Sequence, residues 1–558
     1  MTITRRAASH EPIARVLPLL TVPHLDREFD YLVSEEQSDD AQPGVRVRVR
    51  FNGRLVDAYL LERRSDTDHT GKLGWLDRVV SPEPVLTPEI RRLVDAVAAR
   101  YAGTRADVLR LAVPPRHARV EKQAPEEPEP ASAVPVDTSA WARYGRGVQR
   151  VHVALIRHDR HHAEPRAPYP HAREVAMLRA HQLRCAAIIG GYARTAEAQA
   201  LVRTRWAHDV VAARPVVRAA APRVVALEDS GFAQERDPAA HTARLPSMAL
   251  QAARAALQAQ HPVLIQVPRR GYVPALACAR CRAVTRCRHC TGPLALPDRG
   301  SAAAECRWCG RAEPALRCAR CGSDAVRAVV VGARRTAEEL GRAFPGTSVI
   351  TSGGDAVVGA VGSGPALVVS TPGAEPMAEG GYGAALLLDA WALLGRQDLR
   401  AAEDTMRRWM AAAALVRPRV DGGVVAVVAE SAIATVQALI RWDPVGHADT
   451  ELDARGEVGL PPAVHMAAID GTSAAVKALL ETAQLPAVAE TLGPVDLPAG
   501  ARRPPGLDAD AEVSRMLVRV PRDGGLELAA ALRRATAVLS ARKDQQPCRI
   551  QIDPLHIG

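Results

Sequence analysis

Apolar and polar positions alternate most clearly near the start of the chain. Residues 45–51 (VRVRVRF) place valine and phenylalanine on one face and three arginines on the other, which is typical of a half-buried β-strand. Asn52-Gly53 then favours a tight turn into a second strand at 55–61, and a helical pattern runs from Pro88 to Tyr101. The pattern predicts a small β-rich domain with one basic face over residues 1–120.

Later in the chain, short apolar strands alternate with helices. A capping-box pattern at Thr336-x-x-Glu339 also predicts the start of a helix. This alternation favours a doubly wound parallel sheet, so we expect an α/β fold there. The predicted strands are 185–189, 263–267, 327–331, 366–370, 384–388 and 424–428, and the predicted helices include 171–183, 195–206 and 399–416.

Composition separates these parts. Residues 122–138 are rich in Pro, Glu and Ala, and residues 139–167 are rich in arginine and histidine. Neither stretch can bury enough apolar surface to pack, so we expect a linker and a flexible basic stretch over 121–167. The last unit, 444–558, ends in a strand at 516–520, a helix at 526–539 and a strand at 549–552, which predicts a small α+β domain.

Eight of the ten cysteines form four Cys-x-x-Cys pairs between residues 278 and 321. Two such pairs complete the tetrahedral sulfur cage that zinc favours, and eight ligands make two closed cages with no open catalytic position. The alternative is a disulfide cluster, which a reducing compartment disfavours. Fifteen residues separate Cys290 from Cys306, a zinc-ribbon spacing, and this predicts two nested sites for two structural Zn²⁺ ions. The outer site is Cys278, Cys281, Cys318 and Cys321, and the inner site is Cys287, Cys290, Cys306 and Cys309.

The cysteine segment is also basic. Between Arg269 and Cys321 there are eleven arginines and only three acidic residues, in a chain of 558 residues whose net charge is +10. Arginines on a small rigid scaffold favour phosphate binding, although a solvated surface is the alternative. The N-terminus has no pattern of a signal peptide and no apolar stretch is long enough to span a bilayer, so we expect a cytoplasmic protein.

The sequence lacks the motifs of a nucleotide-driven motor. No Gly-x-x-x-x-Gly-Lys-Ser/Thr loop occurs, and Gly71-Lys72 is the one Gly-Lys pair. Such a loop cradles the phosphates of ATP, and a carboxylate must also hold magnesium. Leu388-Asp389 resembles a magnesium-binding strand end only weakly. We therefore expect no ATP hydrolysis and no catalytic residues.

Several stretches together resemble the primosomal replication-restart protein N′ (PriA) family. The resemblance covers most of the chain apart from about residues 122–165. It is carried by residues 269–276 before the cysteines and 331–340 after them, and by 25–31, 43–47, 169–176, 458–462 and 552–555.

The resemblance implies a fork-binding DNA helicase that reloads the replicative helicase. It implies degenerate RecA-like helicase lobes at 168–277 and 325–443, with a binuclear zinc module at 278–324 inserted between them and a C-terminal domain at 444–558. It also implies that the N-terminal domain holds a DNA 3′ end in a pocket lined by Phe29, Asp30, Tyr31 and Gly44, with Lys72 close to the place of a family lysine. The implied partners are forked and single-stranded DNA, other primosome proteins, the loader of the replicative helicase and single-stranded DNA-binding protein.

The chain departs from the family pattern in the motor. The phosphate-binding loop and acidic box of the first lobe are absent, and Leu415 and Pro418 stand where arginines that touch ATP are expected. These departures favour a replication restart protein that binds stalled or abandoned forks without ATP hydrolysis. Two alternatives remain open: an ATP-dependent 3′-5′ DNA helicase, and a non-enzymatic zinc-ribbon protein that binds nucleic acid.

Overall fold

The structure, a computed structural model, describes most of the chain. Contacts divide it into two compact units, Met1–Gly190 with Ala463–Leu555, and Gly191–Pro462 with His556–Gly558. The described residues are 5–119, 151–154, 162–227, 244–268, 276–281, 283, 285, 287–288, 294–295, 303–306, 311–327, 333–396, 398–497, 501–508, 510–542 and 546–557.

The first unit begins with a closed five-stranded barrel. Its strands are β1 Ile13–Pro18, β2 Phe29–Leu32, β3 Arg46–Phe51, β4 Arg54–Arg64 and β5 Gly74–Ser81, in the order β1-β2-β5-β3-β4. The predicted alternation of β3 is confirmed, since Val47 and Val49 are fully buried in the barrel core. The predicted turn is also confirmed: Asn52 and Gly53 have φ values of 48° and 77°, as a two-residue hairpin loop requires.

Helices and a strand pair follow the barrel. Thr87 caps the first helix, because its side chain accepts a hydrogen bond from the backbone N–H of Ile90. The flexible stretch predicted before residue 167 is wrong at Val151–Ala154, where a strand forms four parallel pairs with the strand at 186–189. The strand is short and lies in a stretch rich in arginine and histidine, so the sequence shows no clear strand pattern there. These elements are α1 Pro88–Arg100, α2 Arg105–Ala112, β6 Val151–Ala154, α3 Ala172–Leu183 and β7 Ala186–Ile189.

The second unit is built on a parallel sheet. Its elements are α4 Ala196–Arg203, α5 Arg214–Ala220, β8 Arg223–Leu227, α6 Ser247–Gln258, β9 Val263–Gln266, β10 Ala277–Cys278, β11 Leu294–Ala295, β12 Ala304–Cys306, β13 Ala312–Glu313, β14 Val326–Arg327, α7 Ala333–Ala343, β15 Ser348–Ser352, β16 Ala360–Val361, β17 Ala366–Ser370, β18 Met377–Ala378, β19 Ala384–Leu387, α8 Ala390–Leu394, α9 Ala401–Ala413, β20 Val424–Glu430, α10 Ala434–Arg441 and α11 Pro444–Glu457. Six strands pair in parallel in the order β15-β17-β9-β19-β20-β8, which confirms the predicted parallel sheet. Leu264 belongs to one core and its neighbours Val263 and Ile265 to another, so both faces of the sheet are covered.

Several local predictions in this unit need correction. Strands β8 and β15 were not predicted, and the helix predicted to reach residue 206 ends at Arg203. The capping box is wrong, because helix α7 already begins at Ala333 and Thr336 lies fully buried inside it. Of the strand predicted at 327–331, Arg327 pairs in β14 with Ala277 of β10, and residues 328–331 lie outside the described residues.

The C-terminal part of the first unit is an antiparallel sheet with two helices. The elements are β21 Val464–Gly471, α12 Ser473–Thr482, β22 Glu490–Asp496, β23 Ser514–Pro521, α13 Gly525–Ser540 and β24 Arg549–Ile552. The strand order is β22-β23-β21-β24, and the three elements predicted at its end are confirmed. Val94 of α1 and Leu109 of α2 share one core with Leu528 and Leu532 of α13. The two ends of the chain therefore contribute to a common core in this unit.

Candidate metal centre and barrel pocket

Two cysteine pairs that are far apart in sequence meet at one point. Strand β10 brings Cys278 beside β14, and the turn at 318–321 lies just before β14. The Sγ atoms of Cys278 and Cys321 are 3.5 Å apart, those of Cys281 and Cys318 are 3.4 Å apart, and all four lie within 4.8 Å of one another. Thiolates about 2.3 Å from a tetrahedral zinc ion lie about 3.8 Å from each other, so this geometry fits the ion.

The backbone of the first knuckle favours a thiolate at Cys278. Burial raises the pKa of Cys278, but the backbone N–H groups of Cys281 and Arg280 donate to its Sγ and lower the pKa to about 6. Burial, together with hydrogen bonds to the neighbouring cysteines, raises the pKa of Cys281 to about 12. Several thiols this close cannot all lose their protons without a compensating charge, and a bound divalent cation supplies that charge.

The inner cysteine set is described only in part. Cys287 is buried in a small core with Leu276 and Leu294. Cys306 ends strand β12, whereas Cys290 and Cys309 lie outside the described residues. The second metal site therefore stays a prediction.

The barrel brings Phe29 and Tyr31 to one end of its core. The Phe29 ring packs edge-on against Phe51 with the ring centroids 5.0 Å apart, and the Arg27 guanidinium lies 5.0 Å from the Phe29 centroid. Tyr31 is buried and donates its hydroxyl hydrogen to the carbonyl oxygen of Arg50 at 3.2 Å. Phe51 was not predicted as a site residue, although its phase with Val49 along β3 places it on the inner face.

Asp30 points away from the core into a network of its own. Its two carboxylate oxygens accept from Nε and Nη2 of Arg15 at 3.0 and 3.1 Å, and the Thr67 hydroxyl donates to one of them at 2.6 Å. Only 7% of its side chain is exposed. The bond from Arg15 outweighs the effect of burial and holds the pKa of Asp30 below its ordinary value.

The other two predicted pocket positions lie differently. Gly44 has a φ of 95° and its carbonyl accepts from Leu86 before β3 begins, whereas Phe51 ends that strand. Seven extended residues span roughly 20 Å, so Gly44 and Phe51 lie at opposite ends of β3, and a role for Gly44 in the pocket stays a prediction. Lys72 is exposed and lies two residues before Gly74 of β5. Gly74 pairs with Tyr31 of β2, so Lys72 lies close in sequence to a neighbour of the predicted pocket.

The arginines of β3 do not form an open basic face. Arg48 pairs with Asp57 at 2.7 Å, and Arg50 lies 3.8 Å from Asp77. Arg46 donates to the carbonyl oxygen of Pro114 at 2.5 Å. Neighbouring acids therefore offset much of the charge that the sequence places on this strand.

At the carboxyl end of the parallel sheet, Asp389 is engaged in an ion pair. The residue follows β19 with a φ of 53° and is only 5% exposed. Arg244 donates to its Oδ2 from Nη2 at 2.8 Å and from Nε at 3.1 Å, and also bonds Glu339 and Thr336. This carboxylate is already neutralised by a guanidinium. None of the described helices could span a lipid bilayer, since each is too short or too polar.

The ion pair of Asp30 makes a pH-dependent prediction. We expect Asp30→Asn to lower the free energy of unfolding at neutral pH, because Arg15 loses its charged partner. Since the pKa of Asp30 is lowered in the fold, its stabilisation is present above the ordinary carboxyl pKa of about 3.9 and is lost as the pH falls through the lower folded value. Urea unfolding followed by circular dichroism should therefore give a difference between variant and parent that shrinks in acid.

Asp68 provides the matched control for this measurement. Its side chain is 92% exposed and lies 3.8 Å from Arg15. Asp68→Asn should leave the free energy of unfolding nearly unchanged at every pH. A difference for Asp30→Asn that stays constant down to acid pH would contradict the assigned ion pair.

Comparison with known proteins adds two family matches. Residues 18–114 match the sequence model of the 3′DNA-binding domain (3′BD), and residues 456–555 match that of the primosomal protein N C-terminal domain. The first match begins at the last residue of β1 and covers strands β2 to β5 of the barrel with α1 and α2. The second spans the C-terminal antiparallel sheet.

This chain is similar to several proteins that carry the name replication restart protein PriA. One of them is the probable replication restart protein PriA of Mycobacterium tuberculosis (strain ATCC 25618 / H37Rv). It is 61% identical over 655 aligned positions, which cover 97% of this chain and 100% of the relative. Its counterpart in Mycobacterium leprae (strain TN) is 60% identical over 651 positions, with the same coverage. The protein from Bacillus subtilis (strain 168) is 24% identical over 194 positions, covering 35% of this chain and 24% of the relative. The mycobacterial alignments are longer than this chain of 558 residues, so they contain positions for which it has no residue.

Proposed function

This chain belongs to the PriA family of replication restart proteins, and we propose that it binds stalled or abandoned replication forks and promotes reloading of the replicative helicase there. The observation that carries this proposal is the match of the N-terminal barrel to a 3′ DNA-binding domain, together with full-length relatives named for replication restart. The fork offers such a barrel a defined ligand, the 3′ end of the leading strand.

We propose that the barrel end formed by Phe29, Tyr31 and Phe51 receives the terminal base. An aromatic ring can stack on any base, and the nearby Arg27 and Lys72 can meet the phosphates. Asp30 accepts three hydrogen bonds from Arg15 and Thr67, so its first role in this proposal is to hold Arg15 in place beside the pocket. Gly44 enters the proposal only as a turn residue at the far end of β3.

We propose that the protein works without ATP hydrolysis. The full sequence has no phosphate-binding loop, and Leu415 and Pro418 replace the expected arginines. The Arg244 ion pair also occupies the one carboxylate at a strand end that resembled a magnesium ligand. In this proposal the two helicase lobes persist as scaffolds, with 168–277 and 325–443 flanking the zinc module at 278–324.

The same proposal includes two structural zinc ions and a set of partners. The four cysteine sulfurs of the outer site have the number and spacing for a closed zinc cage, which would hold the ends of the module together. The proposed partners are primosome proteins, the loader of the replicative helicase and single-stranded DNA-binding protein, in the cytoplasm at the nucleoid.

One fork experiment tests this proposal. We expect zinc-loaded protein to bind a model fork whose leading strand ends in a 3′ hydroxyl at the junction more tightly than the same fork with a 3′ phosphate. The terminal phosphate adds bulk and negative charge close to the Asp30 carboxylate, which its lowered pKa keeps ionised. Fluorescence anisotropy measures both affinities, and phosphate release from ATP is followed in the same samples. DNA-stimulated hydrolysis would refute the ATP-independent role, and equal affinity for both forks would refute recognition of the end.

A further inference from the structure

A segment of the second unit leaves large apolar side chains in solvent. Every residue from 203 to 220 is exposed except Ala207 and Val217, which are half-buried. Trp206 is 45% exposed, and Val210, Val211 and Val216 are each 59–69% exposed. Apolar side chains clustered in this way are uncommon on a soluble protein unless they meet a partner.

The two exposed aromatic side chains of the described chain lie in this region. One is Trp206, and the other is Tyr192, which is 54% exposed. The ion pair between Arg194 and Asp209 connects the loop that carries Tyr192 with the loop that follows Trp206. In a chain whose aromatic content is 3%, both exposed rings therefore sit on neighbouring loops.

A rigid support lies under these loops. Helix α4, which separates them, packs Ala196 and Ala200 against Leu452 of α11. Gln199 of α4 also donates to Asp449 of α11 at 2.7 Å. The loops thus extend from an anchored helix and present their side chains outward.

The charges around the exposed side chains favour an anionic partner. Arg205 and Arg218 are exposed, and neither guanidinium has a hydrogen-bond or ion-pair partner among the described residues. The segment 203–220 contains four arginines and one acidic residue, Asp209, which is already paired. Two of these arginines are paired outside the segment, Arg203 with Asp449 and Asp453 and Arg214 with Asp443 at 4.0 Å. The positive charge available to phosphates is therefore that of Arg205 and Arg218.

We propose that this surface, formed by Tyr192, Trp206 and Val210 with Arg205 and Arg218, binds single-stranded DNA. Unpaired bases offer apolar faces to the rings and their phosphates offer negative charge to the arginines, which matches both exposed features at once. An apolar protein surface would pack on the valines, but it would bring no negative charge to the two arginines. The inference rests on the proposed function only in taking DNA as the ligand, and the surface is separate from the barrel that would read the 3′ end.

The test uses the full-length protein and a fluorescent oligothymidine. Tyr192→Ala with Trp206→Ala should weaken binding about fivefold or more, the effect of losing at least one base stack, whereas Trp206→Phe should retain most of the affinity. Val420→Ala is the matched control, because Val420 is 82% exposed elsewhere in the same unit. Unchanged affinity in the double variant would refute the proposal.

Salt dependence tests the arginines separately. Arg205→Gln with Arg218→Gln should reduce the slope of log K against log salt by about 1.4, since each phosphate contact to a single strand contributes about 0.7. Arg342→Gln, at an exposed arginine of α7, is the control. An unchanged slope would overturn the assignment of these arginines.

Crosslinking locates the contact directly. An oligonucleotide containing 5-bromouracil should crosslink to the tryptic peptide 206–218, which stays whole because Pro215 prevents cleavage after Arg214. The absence of a crosslink to this peptide, or variants that alter self-association without altering DNA binding, would assign the surface to a protein contact and refute the proposal. Discrimination between 3′ hydroxyl and 3′ phosphate forks should survive in all these variants, so a failure of this surface is distinguishable from a failure of the proposed fork recognition.

Discussion

Replacing Cys318 with serine is expected to remove one zinc ion from the protein and to open the cysteine module to proteolysis. The sulfur of Cys318 lies 3.4 Å from that of Cys281, and its loss leaves three thiolates where a closed cage needs four. Because metal binding in such small modules is also their folding free energy, on the order of 10 kcal/mol, the loss of one ligand should have a large effect. Elemental analysis should find one zinc ion per chain fewer in the variant than in the parent protein, for which two are proposed.

Limited trypsin digestion provides the structural readout for the Cys318 variant. The module is rich in arginine, so its opening should give early cleavage between residues 278 and 327. Cys185→Ser is the control, because Cys185 is half-buried and lies outside the cluster. Zinc content and digestion that both match the parent protein would show that Cys318 is not a ligand.

Replacing Asp470 with alanine is expected to destabilise the first unit by about 3–5 kcal/mol, because it breaks a buried ion pair. Arg515 of β23 donates to the two carboxylate oxygens of Asp470 on β21 at 2.7 and 3.0 Å. Both side chains are at most 2% exposed. The variant leaves the Arg515 guanidinium buried without its bidentate partner, and the midpoint of urea unfolding measures the cost.

The same strand offers the control for the Asp470 variant. Arg519 pairs with Glu490 of β22 at 2.6 Å, but 61% of the Glu490 side chain is exposed. Glu490→Ala should therefore cost only about 0–1 kcal/mol. Equal destabilisation by the two variants would mean that burial does not set the strength of these pairs.

Local patterns predicted the regular elements of the fold. Asn52-Gly53 between two alternating runs was sufficient for the hairpin, because few residues adopt positive φ and a two-residue loop requires it. The apolar runs at 263–267, 366–370 and 384–388 were sufficient for central strands of a parallel sheet, since such strands are covered on both faces. Ribbon spacing also indicated which cysteine pairs would meet in the outer set.

Local patterns failed where a distant residue decides the outcome. Thr336 and Glu339 have the spacing of a capping box, yet Arg244 binds both from 92 and 95 residues away. The strand at 151–154 pairs with β7 at 186–189, a partner outside any short window of sequence. No periodicity within a short window carries information about such partners.

The sequence by itself determined the element types, the cysteine pairs, the lack of a phosphate-binding loop and the family resemblance, because each depends on neighbouring residues or fixed spacings. Only the tertiary structure decided which charged groups are available. It paired Asp30 with Arg15 and Asp389 with Arg244, and it left Trp206 exposed. The physical reason is that a charged or apolar side chain is available for binding only if no other side chain covers or pairs with it. In a folded chain those neighbouring side chains come from residues far apart in the sequence.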